Sequence, residues 1–146
     1  MSPDIENAGK LRSAGLRVTA PRLAVLEVLA DHPHATVDVV SRLTRAKLGG
    51  VSTQAVYDVL GACADAGLVR RIQPAGSAAR FELRTGDNHH HLVCRLCGRT
   101  TDVDCTVGER PCLMPSDDGG YLVAEAEVVF WGLCPTCQAN ESISNN

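Results

Sequence analysis

Apolar residues in the first half of the chain recur at three- and four-residue spacing, whereas in the second half they alternate, so the structural period changes near the middle. Thr19 heads a stripe of Leu23, Leu26 and Leu29 that predicts a helix through Ala30, with Pro21 tolerated in its opening turn. Thr36 heads a second stripe, Val39, Val40, Leu43 and Leu48, which stops at Gly49-Gly50. Ser52 heads a third, Thr53 to Ala66, with Val56, Val59, Leu60 and Cys63 inward and Gly67 closing it. A less regular segment, Asp4 to Ala14 before Gly15, predicts a leading helix. Leu68 to Ile72 and Ala79 to Leu83 predict strands joined at Pro74-Ala75-Gly76-Ser77. Met1 to Asp4 and the polar run Asn140 to Asn146 read as loose ends.

Helices followed by a hairpin form the plan of a winged helix-turn-helix domain, expected over residues 1–84. In that plan the last helix enters the major groove of double-stranded DNA and the hairpin touches the backbone. The inward set leaves Thr53, Gln54, Tyr57 and Asp58 outward near the start of that helix. Gln54 can pair bidentately with adenine and Tyr57 can pack on a thymine methyl. The same pattern also fits a small helical core with a solvated polar face.

Over residues 85–146, His89-His90-His91-Leu92-Val93 predicts a strand, Arg99 to Val103 a second, and Tyr121 to Trp131 a long third. That third strand places Leu122, Ala124, Ala126, Val128 and Phe130 on one face. Its other face, Val123, Glu125, Glu127, Val129 and Trp131, is half apolar. A three-stranded sheet with so much apolar surface is marginal alone, which predicts a symmetric homodimer. The fold class is therefore expected to be α+β, an N-terminal winged domain followed by a C-terminal dimerisation domain.

A chain of 146 residues with 45% hydrophobic content suffices for one domain or two small ones. It opens on no basic-apolar leader and contains no apolar run near the roughly 20 residues that span a bilayer, so a cytoplasmic protein with no membrane partner is expected. The net charge of -3 divides unevenly: residues 1–84 hold eleven Lys/Arg against eight Asp/Glu, and residues 85–146 hold three against nine. Only the first part can approach phosphate favourably.

Seven cysteines, an odd number, in a reducing compartment favour metal ligation over disulfides. The brackets Cys94-x-x-Cys97 and Cys134-x-x-Cys137 supply four thiolates at the spacing of a tetrahedral structural Zn²⁺ site. Four thiolates fill that ion's shell, leaving the neighbouring imidazoles for another purpose. On a strand His89 and His91 project to one side and His90 to the other. Glu82 and Asp102 offer carboxylates, and a mixed imidazole-carboxylate shell suits Fe²⁺ or Mn²⁺. The alternative is a solvated, histidine-rich strand start. Cys63 belongs to the core of the third helix. Cys105 and Cys112, outside the brackets and flanking Gly108 and Pro111, are either ordinary loop thiols or a pair able to oxidise.

Five motifs fall in order: Gly15-Leu-Arg-Val-Thr-Ala-Pro-Arg22, Val51-Ser-Thr-Gln-Ala-Val-Tyr57, Arg80-Phe-Glu82, His89-x-His91 before Cys94-x-x-Cys97-Gly98, and Gly132-Leu-Cys-Pro-Thr-Cys137. Over residues 10–138 they resemble the ferric uptake regulator family. Asp87-Asn-His-His-His91 and Val103-Asp-Cys-Thr-Val-Gly-Glu-Arg-Pro-Cys112 look most like its actinobacterial branch of peroxide-responsive repressors of catalase-peroxidase genes. The resemblance implies a non-enzymatic repressor. Cys94, Cys97, Cys134 and Cys137 would hold structural zinc, and His34, Glu82, His89, His91 and Asp102 a regulatory Fe²⁺ or Mn²⁺ shared between the two domains. His32 is the alternative to His34.

Asp102 matches the peroxide sensors of that family and Glu82 its plain iron regulators. Release from DNA would follow metal-catalysed oxidation of His34 or His89; the alternatives are a regulator of iron or zinc supply and a zinc-stapled thiol-redox protein. Tyr57 matches the base-contacting tyrosine, and Arg17 and Arg22 match basic residues near the DNA backbone or minor groove. Asp58 departs from the usual Arg or Asn. An accessory site would involve His90, Asn88 and Glu109.

Overall fold

A computed structural model of the chain describes residues 2–83, 89–105 and 111–144. It forms two compact units, Met1–Gly86 and Asp87–Asn146. Most of the expected junction, residues 84–88, lies outside the described residues.

The first unit runs α1 (Pro3–Ser13), α2 (Ala20–Asp31), β1 (Ala35–Thr36), α3 (Val37–Leu48), α4 (Thr53–Asp65), β2 (Arg70–Ile72) and β3 (Arg80–Glu82). Its helices start where short hydroxyl side chains accept otherwise unpaired backbone N–H groups. Thr19 Oγ1 accepts from Arg22 N–H at 3.2 Å, Thr36 Oγ1 from Val39 N–H at 3.4 Å and Ser52 Oγ from Ala55 N–H at 3.0 Å. Ser2 Oγ caps α1 in the same way, accepting from Ile5 N–H at 3.4 Å. The expected loose start therefore shrinks, because Pro3 sits at a helix position where no N–H is needed.

Leu11, Val25, Leu29, Val40, Val56 and Leu60 are almost wholly buried in one core, each large side chain contributing on the order of 1.5–3 kcal/mol relative to exposure. Cys63 joins this core, and burial raises its thiol pKa above the ordinary value. β3 lies between β1 and β2, both antiparallel to it. The connection between β2 and β3 turns at Pro74, whose carbonyl accepts from Ser77 N–H at 3.0 Å.

The second unit contains β4 (His89–Cys94), β5 (Thr100–Asp104), β6 (Val129–Gly132) and α5 (Pro135–Ser144). β4 is central, antiparallel to β5 and parallel to β6. Two expectations are corrected here. The long strand from Tyr121 to Trp131 is cut to Val129–Gly132, and Leu122, expected on its apolar face, is 99% exposed. Alternation marks a surface wanting a cover, and within this sheet only the last residues of the segment reach β4 for pairing. The tail read as loose from Asn140 is helical to Ser144, continuing a helix that Pro135 begins.

Candidate metal centres and nucleic-acid face

β4 ends on the first cysteine bracket. Cys94 pairs with Gly132 in the parallel β4/β6 register, so the chain leaving β6 delivers Cys134 and Cys137 beside Cys94 and Cys97. Gly98 closes the first bracket, donating its N–H to the Cys94 carbonyl at 3.0 Å with φ +79, a left-handed conformation that glycine adopts without strain. Arg95 lies 5.1 Å over the Trp131 ring, packing the two brackets' flanks together.

One sulfur from each of the four cysteines lies within 4.8 Å of all the others, and Cys97 Sγ is 3.7 Å from Cys134 Sγ. A tetrahedron with Zn–S bonds of about 2.3 Å has an edge of about 3.8 Å, so four thiols at this separation fit zinc. All seven cysteines are reduced. Backbone N–H groups aimed at its sulfur, first that of Cys134, bring Cys94 down to about 6. Cys134 is lowered by the backbone at Cys137, whereas Cys137, bonded to the Cys134 sulfur, is pushed up to about 12.

The imidazoles and carboxylates gather in two sets, one per unit. In the first, β1 pairs Ala35 with Phe81, His34 N–H donates to the Phe81 carbonyl at 3.0 Å, and Arg80 Nη1 donates to the His34 carbonyl at 3.1 Å. These contacts hold His34 at φ +67, the one non-glycine among the described residues with positive φ, a conformation costing on the order of 1 kcal/mol or more. Its Nε2 lies 3.0 Å from Glu82 Oε2, and both side chains are buried. His32, the alternative to His34, is exposed.

In the second set, the β4/β5 register places His91 opposite Asp102. His89 Nε2 and His91 Nε2 stand 3.6 and 3.4 Å from the same atom, Asp102 Oδ1, and the two rings lie 4.9 Å apart. Two buried imidazoles and a part-exposed carboxylate form a mixed nitrogen and oxygen donor set able to hold a divalent cation. Glu127, 3.8 Å from His91 Nδ1, joins this set without having been anticipated as a site residue. Its signal was weak, one acid in an alternating segment.

His90 points the other way, as strand geometry requires. Its Nδ1 accepts from Val128 N–H at 3.1 Å and its Nε2 lies 3.1 Å from Cys112 Sγ. The other residues expected beside it, Asn88 and Glu109, lie outside the described residues.

On α4, Gln54, Tyr57 and Asp58 are exposed and Thr53 is part-exposed, Tyr57 at 52%. Gln54 Nε2 donates to Asp58 Oδ1 at 3.0 Å, so the acid that departs from expectation tethers the amide beside it. Arg45 bonds the Thr53 hydroxyl and the Val51 carbonyl, bracing the α3–α4 connection. This role was invisible in the sequence because it joins residues of two elements. Arg22 Nη1 donates to the Arg17 carbonyl at 2.8 Å, placing both basic residues at one corner.

The model of the ferric uptake regulator family matches residues 13–117. The chain belongs to the ferric uptake regulator family. Within that family it is 57% identical over 142 residues to the transcriptional regulator FurA of Mycobacterium tuberculosis, covering 97% of each chain. It is also similar to the crystal structure of the Vibrio cholerae ferric uptake regulator, with 30% identity, a TM-score of 0.64 and coverage of 88% of this chain and 99% of that one. The ferric uptake regulator of Pseudomonas aeruginosa, solved with manganese, aligns with 27% identity and a TM-score of 0.62 over 88% and 98% of the two chains. The protein is thus a metal-responsive transcriptional regulator of mixed helix and sheet, and not an enzyme. No helix among the described residues is long and apolar enough to cross a membrane.

Proposed function

We propose that the protein is a cytoplasmic, homodimeric repressor of oxidative-stress genes of the catalase-peroxidase type, requiring a regulatory metal and relieved by peroxide. The observation that carries this reading is the sorting of buried imidazoles with carboxylates, His34 with Glu82 in one unit and His89 and His91 with Asp102 in the other. Fe²⁺ or Mn²⁺ held by these five residues would tie the DNA-binding unit to the dimerisation unit, and its preference for one arrangement would shift the population toward operator binding. The four cysteines would hold zinc as a structural staple.

Thr53, Gln54 and Tyr57 on α4 are the proposed base readers, with β2 and β3 as the wing and Arg17 and Arg22 toward the phosphates. Leu92 and Phe130 support the homodimer. They are register partners on β4 and β6, and each remains 47% exposed, an apolar strip that a second copy would cover.

Bound Fe²⁺ would supply the electron that cleaves hydrogen peroxide. His34 or His89 would gain oxygen, lose its ligating lone pair and let the two halves separate. Operators selected from random duplexes with the Mn²⁺-loaded chain provide the assay. Peroxide should release the Fe²⁺-loaded chain with one oxygen added to His34 or His89, and leave the Mn²⁺-loaded chain bound. Release without that added oxygen would reject the route. Glu82, the carboxylate shared with plain iron regulators, favours a second reading in which metal supply itself is the signal. Metal-dependent binding indifferent to peroxide would select it.

A further inference from the structure

The face of β4 opposite the His89 and His91 pair carries a separate constellation. His90, 4% exposed, Cys105 after β5, and Cys112 bring one nitrogen and two sulfurs within 4.8 Å of one another. Neither sulfur belongs to the four-cysteine cluster, which is complete without them. His90 does not stand ready as a metal ligand. Its Nδ1 accepts the Val128 N–H at 3.1 Å, so a neutral ring carries its proton on Nε2, the atom 3.1 Å from Cys112 Sγ. To ligate an ion through Nε2, the ring would have to move its proton to Nδ1, against the Val128 N–H. The backbone therefore fixes the ring as a donor toward sulfur.

We propose that Cys105 and Cys112 are a dithiol that reduces hydroperoxides and closes to a disulfide, with His90 as the positioning residue that holds Cys112. The His90 ring holds the Cys112 sulfur at 3.1 Å, and burial and the neighbouring Cys105 raise the Cys112 thiol pKa, so in this proposal Cys105 attacks and Cys112 resolves. Cys105 Sγ bonds to the terminal peroxide oxygen, the O–O bond breaks, and the remaining oxygen departs as alcohol, or as water from hydrogen peroxide, with the proton released by Cys105. Cys112 Sγ then attacks the sulfenic sulfur. The S–S bond forms, and the second oxygen leaves as water with the proton of Cys112. In sum, two thiols and one hydroperoxide yield a disulfide, an alcohol and water.

This goes beyond the iron-dependent route and needs no iron. The full-length chain, with its zinc retained and Mn²⁺ added, is treated with cumene hydroperoxide in the absence of free iron and followed by intact mass and peptide mapping. It should lose the mass of two hydrogens, with Cys105 and Cys112 in one cross-linked peptide and the bracket cysteines still reduced. Cys112→Ser should stop at a dimedone-trapped sulfenic acid on Cys105. His90→Leu should slow closure about tenfold, and His90→Gln, which retains a donor, should recover part of the rate.

Both thiols remaining alkylatable after the peroxide is consumed would overturn the proposal. So would an additional zinc equivalent that protects them and disappears in Cys105→Ser, which would make the constellation a metal site. The two peroxide routes separate cleanly. The Fe²⁺-loaded Cys105→Ser/Cys112→Ser chain reports histidine oxidation alone, and the Mn²⁺-loaded wild-type chain reports the dithiol alone.

Discussion

His34 Nε2 lies 3.0 Å from Glu82 Oε2, brought there by a two-residue strand that pairs Ala35 with Phe81. Both groups are buried, so removing either takes a close polar contact from the other. Glu82→Ala is expected to weaken Mn²⁺ binding to the full chain at least about tenfold, the lower range for losing a group that orients or completes a metal shell. Calorimetric titration with Mn²⁺ after zinc loading measures it. An unchanged affinity would remove Glu82 from the site.

Zinc uptake by the four cysteines should depend on pH in a defined direction. Cys94, held near 6 by backbone N–H groups, is a thiolate at neutral pH, so loading there should release fewer than four protons. Below pH 6 the count should rise toward four and the affinity should fall. For the metal-free fold the sign is the same. A thiol with a depressed pKa stabilises the folded state above its unfolded value, and that contribution is lost as pH falls through the folded value. Titrations in buffers of differing ionisation enthalpy count the protons.

Tyr57 and Arg22 should fail differently. Tyr57→Ala is expected to relax base preference at one operator position by about 1–3 kcal/mol while retaining non-specific binding. Arg22→Ala should weaken binding across sequences and reduce the salt slope by about 1. Competition binding at several salt concentrations distinguishes them, and identical profiles for the two variants would contradict the assignment.

Cys63 is fully buried among α2, α3 and α4 contacts, with its thiol pushed up by that burial. Alkylation of Cys63 should therefore track unfolding of the first unit and stay absent when chelation strips zinc from the second. Mass spectrometry of alkylated peptides along a urea series reads this. Early labelling of Cys63 on zinc removal would mean that the first unit depends on the metal.

What could be read from the chain was what is local. Thr19, Thr36 and Ser52 each announce a helix by a hydroxyl that satisfies an N–H three residues on, and all three cap as expected. The cysteine brackets were legible because ligand spacing is a property of a few adjacent residues. The strand Ala35–Thr36 was not, since two residues carry no period and owe their form to Phe81 across the sheet. The overlong strand from Tyr121 shows the converse. Alternation records which residues want burial and does not say which surface provides it. The Arg45–Thr53 contact and the meeting of His90 with Cys112 are likewise products of the fold, each joining residues of different elements.

β4, six residues from His89 to Cys94, carries on one side the imidazole pair facing Asp102, on the other the ring facing Cys112, and at its tip a sulfur of the four-cysteine cluster. The ribbon is one pleat thick. A shift of the backbone itself, from whichever surface it is driven, would carry both sets of side chains with it, because no spacer separates them.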